Sequence, residues 1–257
     1  MKAAGRHGVQ FVVLDRPNPI GGVDVQGPVL DAGSESFVGY HTIAVRHGMT
    51  VGELAKMFQS EMGVDVDLHV VPVEGWRRDQ WFDATGQLWI NPSPNMRNLN
   101  QALLYPGVGL LETTNLSVGR GTDTPFEVIG APWIDALSLA EQMNSAGLEG
   151  IRFVPLKFTP DSSKYEGETC GGIQLLITQR SLLDPMKLGL TLASTLHAMY
   201  PQQWSTSNLN RLLSDQKTFD GILAGKDARE LIDDYQAELA AFGERRKAFL
   251  AYSADAK

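Results

Sequence analysis

Cysteine is almost absent from this sequence: Cys170 stands alone among 257 residues. No internal disulfide can form, and cysteine usage identifies no redox compartment. Positive charge is also scarce, with 22 Lys and Arg against 30 Asp and Glu and a formal net charge of -8. That balance argues against a nucleic-acid partner, because phosphate binding needs a basic face. No uninterrupted apolar run reaches the ~20 residues of a membrane span. The opening MKAAGRHGVQFVVLD has neither the apolar core nor the small-residue cleavage site of a signal peptide. GxSxG, a P-loop, and GxGxxG after a strand are missing as well, so acyl-enzyme hydrolysis and phosphate cradling lose their strongest signals. His7, His41, His69 and His197 form no metal-ligand spacing such as HExxH. Neither a metal site nor a cofactor is expected.

What is present is ordinary globular material, 43% hydrophobic and 20% charged, long enough for one large domain or two small ones. The start reads as a helix end, a glycine cap and then a short apolar strand at residues 10–14 (QFVVL). Such a buried strand ordinarily follows earlier α/β units, which leads to the expectation that an N-terminal part of the natural fold is missing. Asp15, Arg16 and Asn18 follow at the carboxyl end of the strand, where open α/β sheets hold ligands. Thr50 and Glu53 form a capping box that starts a helix, and His47 stands just ahead of its N-terminus. Residues 67–73 read as a second strand. Trp76, Trp81 and Trp89 crowd into 14 residues; tryptophan faces suit sugar or base stacking, though most tryptophans are core. Prolines 92 and 94 stiffen the approach to Asn95.

Residues 105–133 (YPGVGLLETTNLSVGRGTDTPFEVIGAPW) hold five glycines and three prolines, a density that regular elements tolerate poorly. Their apolar residues argue against disorder, so an ordered, active-site-like loop is expected. It carries Glu112, Asn115, Arg120 and Glu127, with Tyr105 and Trp133 at its ends. Further on, residues 135–146 predict an amphipathic helix capped by Asp135. Strands are expected at 151–155 and 171–178, and helices at 184–200, 218–223 and, broken or in two pieces, 226–252. Cys170 has no base beside it and reads as an inert buried thiol. Carboxylates, amides, arginines and aromatics on loops suit an enzyme or binding protein for a polar or anionic small molecule or sugar.

The series VLDRPNPIGG, HGMTVGELA, EGWRR, WINPSPN, YPGVGLLETTNLSVGRGT, PFEVIGAPW and ETCGGIQLLIT resembles, in order and spacing, the NamZ-type exo-β-N-acetylmuramidases. The resemblance covers essentially the whole chain. It implies an α/β fold: a Rossmann-like domain joined to a smaller C-terminal α/β domain, with the active site in the cleft between them. Residues 1–110 would then be the C-terminal part of the Rossmann-like domain with active-site loops, and residues 111–257 the C-terminal α/β domain. The activity implied is release of terminal N-acetylmuramic acid from the non-reducing end of peptidoglycan fragments, in bacterial cell-wall turnover. The implied location is the cell envelope, periplasmic or secreted. The implied partners are muropeptides and muramic-acid disaccharides. The alternatives are a non-catalytic cell-wall sugar-binding protein and an α/β enzyme for another anionic sugar or nucleotide-sugar.

The sequence departs from the family pattern in two ways. The family's N-terminal region, with a Pro-Glu-His-Gly motif whose glutamate is the leading catalytic candidate, does not occur in this chain. The usual Glu-Gly-Thr-Asn-Leu-Ser-Glu-Gly-Arg reads here Glu112-Thr113-Thr114-Asn115-Leu116-Ser117-Val118-Gly119-Arg120. The catalytic candidates are therefore Glu112 and Glu127. Asp15, Arg16, Asn18, His47, Trp76, Asn95, Asn115, Arg120 and Trp133 are the substrate-binding candidates, with Arg16 or Arg120 expected to hold the lactyl carboxylate of muramic acid.

Overall fold

A computed structural model of the chain describes residues 1–254. The helix α1 (Lys2–Arg6) leads into β1 (Phe11–Leu14); β2 (Gln26–Val29), β3 (Ala44–Arg46), α2 (Val51–Glu61) and β4 (Leu68–Val71) complete the N-terminal half. The strands β1 and β4 pair in parallel, Phe11 opposite Leu68 and Leu14 opposite Val71, and α2 is the crossover between them. Thr50 and Glu53 close the capping box of α2 reciprocally. The expected buried strand β1 is covered on one face only: Val13 is buried, whereas Val12 and Leu14 are 48% and 70% exposed. β2 and β3 form a separate antiparallel pair.

The second half begins with α3 (Leu99–Val108) and a 3₁₀ turn (Gly109–Thr113). It continues through β5 (Val128–Ala131), α4 (Ala136–Ser145), β6 (Ile151–Phe158), β7 (Cys170–Ile177), α5 (Pro185–Met199), α6 (Asn210–Leu213), α7 (Gln216–Leu223) and α8 (Ala228–Arg246). Its sheet is antiparallel in the order β5-β7-β6. The chain is thus α/β, with a parallel β-α-β unit in one half and helices packed on an antiparallel sheet in the other. α8 is continuous, so the broken helix expected there is one 19-residue helix.

The expected loop at 105–133 starts inside a helix. Asn98 caps α3 through the Gln101 amide at 2.9 Å, and Leu103, Leu104 and Val108 are buried in the main core. Burial of those side chains outweighs the hydrogen bond that Pro106 cannot donate. Gly107 is a crossing point rather than a turn: a Cβ there would lie 1.8 Å from the Pro185 carbonyl oxygen, and one on Gly189 of α5 would lie 2.6 Å from the Gly107 Cα. The glycine that looks like a loop signal lets two helices touch backbone to backbone.

Two cores result. The large one is built on α3, α5 and the antiparallel sheet; the small one holds Ala44, Met49, Met57 and Phe242. α8 serves both, with Leu231 and Tyr235 in the large core and Phe242 in the small one.

Gly107→Ala is expected to lower unfolding stability by ~1–3 kcal/mol, as overpacking does. Gly243→Ala in α8, where an added Cβ meets nothing within 4 Å, is expected to be neutral or to stabilise by ~0.5–1 kcal/mol. Urea unfolding of the two variants beside the parent checks both, and equal effects would refute the crossing-point reading.

Candidate functional site

At the carboxyl end of β1 the side chains are largely committed to each other. Asp15 accepts hydrogen bonds from the Gly52 amide at 2.8 Å, Thr50 Oγ1 at 2.7 Å, Tyr252 Oη at 2.6 Å and the Arg16 amide at 2.9 Å. Its carboxylate is the anion that the N-terminus of α2 favours. Burial and the bond to Asp15 push the Tyr252 hydroxyl up to about 12. Asn18 folds the turn after β1, donating to the Met49 carbonyl at 3.1 Å and accepting from the Ile20 amide at 3.2 Å. Arg16 is exposed, and its guanidinium has no hydrogen-bond or ion-pair partner among the described residues.

His47 is tied by one nitrogen. Its Nδ1 accepts from the Met49 amide at 3.1 Å, so the hydrogen of the neutral ring sits on Nε2. Burial, and then the nearby Arg246 guanidinium, lower its pKa to about 4.

The second cluster lies beyond α3. Glu112 Oε1 accepts from Arg120 Nε. That bond raises the Arg120 pKa, against the effect of burial. The Arg120 guanidinium stands 5.2 Å from the centroid of the Phe126 ring, which meets the Tyr105 ring edge to face at 4.9 Å. Burial first, and then the Glu112 charge, raise the Tyr105 pKa. Phe126 holds φ at +65°, a conformation that costs a non-glycine residue ~1–3 kcal/mol and is found where the surroundings enforce it. Here the enforcing contacts are its amide bond to the Val118 carbonyl at 2.7 Å and its full burial.

The loop between β6 and β7 clamps this cluster from outside. Lys164 Nζ donates to the carbonyls of Glu112 at 3.0 Å and Leu116 at 3.2 Å, and also to that of Thr114. Tyr165 Oη donates to the Asn115 carbonyl at 2.6 Å and accepts from Trp133 Nε1 at 3.3 Å. Gly121 lets the loop approach: an added Cβ would lie 2.2 Å from the Ser162 carbonyl oxygen. The Asn115 side chain holds the segment after α5, donating to the Gln203 carbonyl and accepting from the Ser205 amide, both at 2.7 Å.

Glu112, Asn115, Arg120 and Trp133 therefore form one connected assembly. Glu127 lies to its side, where Oε1 accepts from Asn98 and Gln101 at the start of α3, both at 2.9 Å. Trp76 is buried, edge to face with Tyr252. Asn95 is half-buried in the turn before α3. Cys170 is buried, its thiol pushed up to about 11 by burial. Among the described residues no three His, Cys, Asp or Glu side chains could share a metal ion, and no helix is long and apolar enough to cross a membrane.

Between the halves runs a groove of about 470 Å³. His47, Tyr40 and Phe58 line it from the N-terminal half; Tyr105, Leu110 and Leu212 line it from the other. Tyr105 thus borders both the groove and the Glu112–Arg120 pair. Sequence reasoning missed Tyr105, Lys164 and Tyr165 as individual site residues. Tyr105 reads as the edge of a glycine-rich stretch, and the clamp depends on left-handed backbone at Ser163 and Tyr165, φ +70° and +62°, which their residue types do not advertise.

The family model described as exo-beta-N-acetylmuramidase NamZ, C-terminal, matches residues 103–252, and its N-terminal counterpart matches residues 1–100. The peptidoglycan beta-N-acetylmuramidase NamZ of Bacillus subtilis (strain 168) is 42% identical over 255 residues, which are 98% of this chain and 62% of that protein. This chain thus spans 62% of the length of that curated relative. Two crystal structures of DUF1343 family proteins from Bacteroides fragilis, both 29% identical, superpose with TM-scores of 0.84 and 0.79. They cover 98% and 99% of this chain and 69% of each of those chains. The chain belongs to the exo-beta-N-acetylmuramidase NamZ family.

The lowered pKa of His47 fixes a sign. The unfolded chain takes up this proton near pH 6.5 and the folded chain only near about 4. The unfolded state therefore binds more protons in between, and stability falls as pH drops through that window. His47→Gln is expected to flatten the dependence of the urea midpoint on pH between 6.5 and 4. An unchanged slope would contradict the neutral, enclosed imidazole.

Proposed function

We propose that this NamZ family member acts as an exo-β-N-acetylmuramidase, releasing terminal N-acetylmuramic acid from the non-reducing end of peptidoglycan fragments during cell-wall turnover and recycling. The observation that carries the reading is 42% identity, across 98% of the chain, to a Bacillus protein named as a peptidoglycan β-N-acetylmuramidase. The same proposal puts its action in the cell envelope, periplasmic or secreted, where that substrate lies.

The site chemistry supports it. Muramic acid differs from glucosamine by a lactyl carboxylate. Arg120 gives its Nε hydrogen to Glu112, which leaves the paired Nη groups free to grip a carboxylate. Glu112 is thereby a positioning residue that aims the guanidinium, and its charge also favours the oxocarbenium-like transition state of glycoside hydrolysis. With Glu112 engaged by Arg120, proton donation is assigned to another carboxyl group. Asn115 keeps the wall in register through its bonds to residues 203 and 205. Arg16, exposed and with no guanidinium partner among the described residues, is the second cation available to the lactyl group.

The purified chain is incubated with a muramic-acid-terminated disaccharide, and released sugar and bound disaccharide are measured separately. Binding without release removes the hydrolase and leaves a binding protein; neither binding nor release overturns the reading. Arg120→Ala is expected to lower kcat/KM on a chromogenic muramic acid glycoside by roughly 10–100-fold, the worth of a charged hydrogen bond. The glucosamine analogue should change far less. Equal losses on the two would remove Arg120 from carboxylate recognition and leave Arg16→Ala as the next variant.

A further inference from the structure

The loop between β6 and β7 reaches the Glu112–Arg120 pair from both sides. On the Arg120 side, the Asp161 amide donates to the Gly121 carbonyl at 2.8 Å, and Gly121 has no side chain to hold Ser162 off. On the Glu112 side, the Lys164 ammonium donates to the carbonyls of Glu112 at 3.0 Å, Leu116 at 3.2 Å and Thr114. Tyr165 Oη takes the carbonyl that lies between the last two, that of Asn115, at 2.6 Å.

The segment held in this way runs from a helix end to a strand bridge. The 3₁₀ turn after α3 ends at Thr113, and Ser117 exchanges hydrogen bonds with Gly130 of β5 at 2.8 and 2.9 Å. Between these points Thr114 and Leu116 are buried, and buried carbonyls need partners. The end of a helix also favours a cation. An ammonium has three hydrogens, and that of Lys164 meets three carbonyls. Its hydrogens are thus committed to backbone, which makes it a support for the site and not a ligand contact. Ser163 and Tyr165, on either side of it, hold φ at +70° and +62°, a conformation that persists where the surroundings impose it. Burial lowers the Lys164 pKa, and the nearby Glu112 charge opposes that effect.

We propose that Lys164 is a positioning residue: it sets the Glu112 backbone against Arg120, so that the guanidinium presents its Nη groups to a ligand carboxylate. The path has two links. Lys164 fixes the Glu112 carbonyl, and the Glu112 carboxylate takes the Nε hydrogen of Arg120. The Arg120 backbone is fixed from the same loop through Gly121. A shift of residues 112–116 would move the carboxylate relative to the guanidinium and turn its Nη edge away. Because the loop attaches on either side of one ion pair, it fixes a distance within the site as well as its own place on the surface. Lys164 also brings a positive charge beside a pair whose charges cancel, which suits an anionic ligand. The assignment rests on the muramidase reading for the identity of that ligand.

Lys164→Met is compared with the parent after urea unfolding has shown that the variant folds; Lys164 is half-buried, so water can reach the carbonyls it leaves. The Arg120 Nε–H signal is followed by NMR and assigned by its absence from Arg120→Lys. Its exchange with water is expected to be roughly tenfold faster in Lys164→Met, as for a loosened charged hydrogen bond. On the chromogenic muramic acid glycoside kcat/KM should fall roughly tenfold, with a far smaller loss on the glucosamine analogue. Added to Arg120→Ala, the same substitution should cost less than about twofold more, because the two residues act in series. An unchanged Arg120 exchange rate, equal losses on the two glycosides, or additive losses would overturn the proposal. Lys164→Gln, which keeps an amide donor, carries the same comparisons where the methionine variant does not fold. The two readings fail separately. A parent that releases no muramic acid from any substrate loses the muramidase and leaves the exchange rate to decide Lys164. An active parent whose Arg120 signal is unaffected by Lys164→Met loses the positioning role and keeps the muramidase.

Discussion

The contact on which most of the N-terminal half depends is an ion pair hidden from water. The Glu53 side chain is 0% exposed and that of Arg78 is 6% exposed, and they bond directly. Two charges taken out of water are tolerated only when every remaining hydrogen-bonding position finds a partner. Here each does. Glu53 also accepts from the amides of Thr50 and Ala251 at 2.9 and 2.7 Å. Arg78 also donates to the carbonyls of Gly22 and Gly48, both at 2.8 Å, and to that of Tyr252 at 3.0 Å. The start of α2, the turn after β1, the turn at Gly48 and the C-terminal segment therefore meet at one point. Arg246 reinforces it by donating to the carbonyls of Gly22, His47 and Gly48. Losing either member of the pair would strand a buried charge, which typically costs ~3–5 kcal/mol.

This arrangement explains how two cores can frame a groove without collapsing onto it. The knot of arginines fixes the turn that carries His47, while the crossing of α3 on α5 fixes the ring of Tyr105. The strain at Phe126, the clamp by Lys164 and Gly109, where an added Cβ would lie 2.9 Å from the Tyr105 ring, all act on the Tyr105 side. The groove is thus preorganised by backbone-directed hydrogen bonds made by long cationic side chains.

Sequence reasoning recovers what local chemistry dictates. The capping box at Thr50 and Glu53, the Asp135 cap, the parallel strands at 11–14 and 68–71, and the apolar strands of the second half all stand near where periodicity puts them. The family emerges from motif order alone. The reading fails where tertiary contact reverses a local signal. The Pro106-Gly107 pair falls in the loop expected at 105–133 but lies within α3, since the glycine's lack of a side chain serves the crossing with α5. The same limit applies to the candidate site. Asp15 and Glu127 stand among the candidate site residues, and only the fold reveals which amides and hydroxyls occupy them. Tyr105 carries no motif of its own; its place between groove and ion pair follows from the helix crossing.

The carboxylate of Asp15 has a consequence for evolution within this architecture. Parallel α/β units commonly hold a phosphate where a strand gives way to a helix, because backbone amides and the helix dipole attract an anion there. In this chain the vacancy is filled from within: the amide of Gly52 and the hydroxyl of Thr50 already face the protein's own negative charge. An incoming phosphate would meet repulsion in place of donors. At this strand end the anion is supplied by the chain itself, and the first turn of α2 is satisfied without any bound molecule.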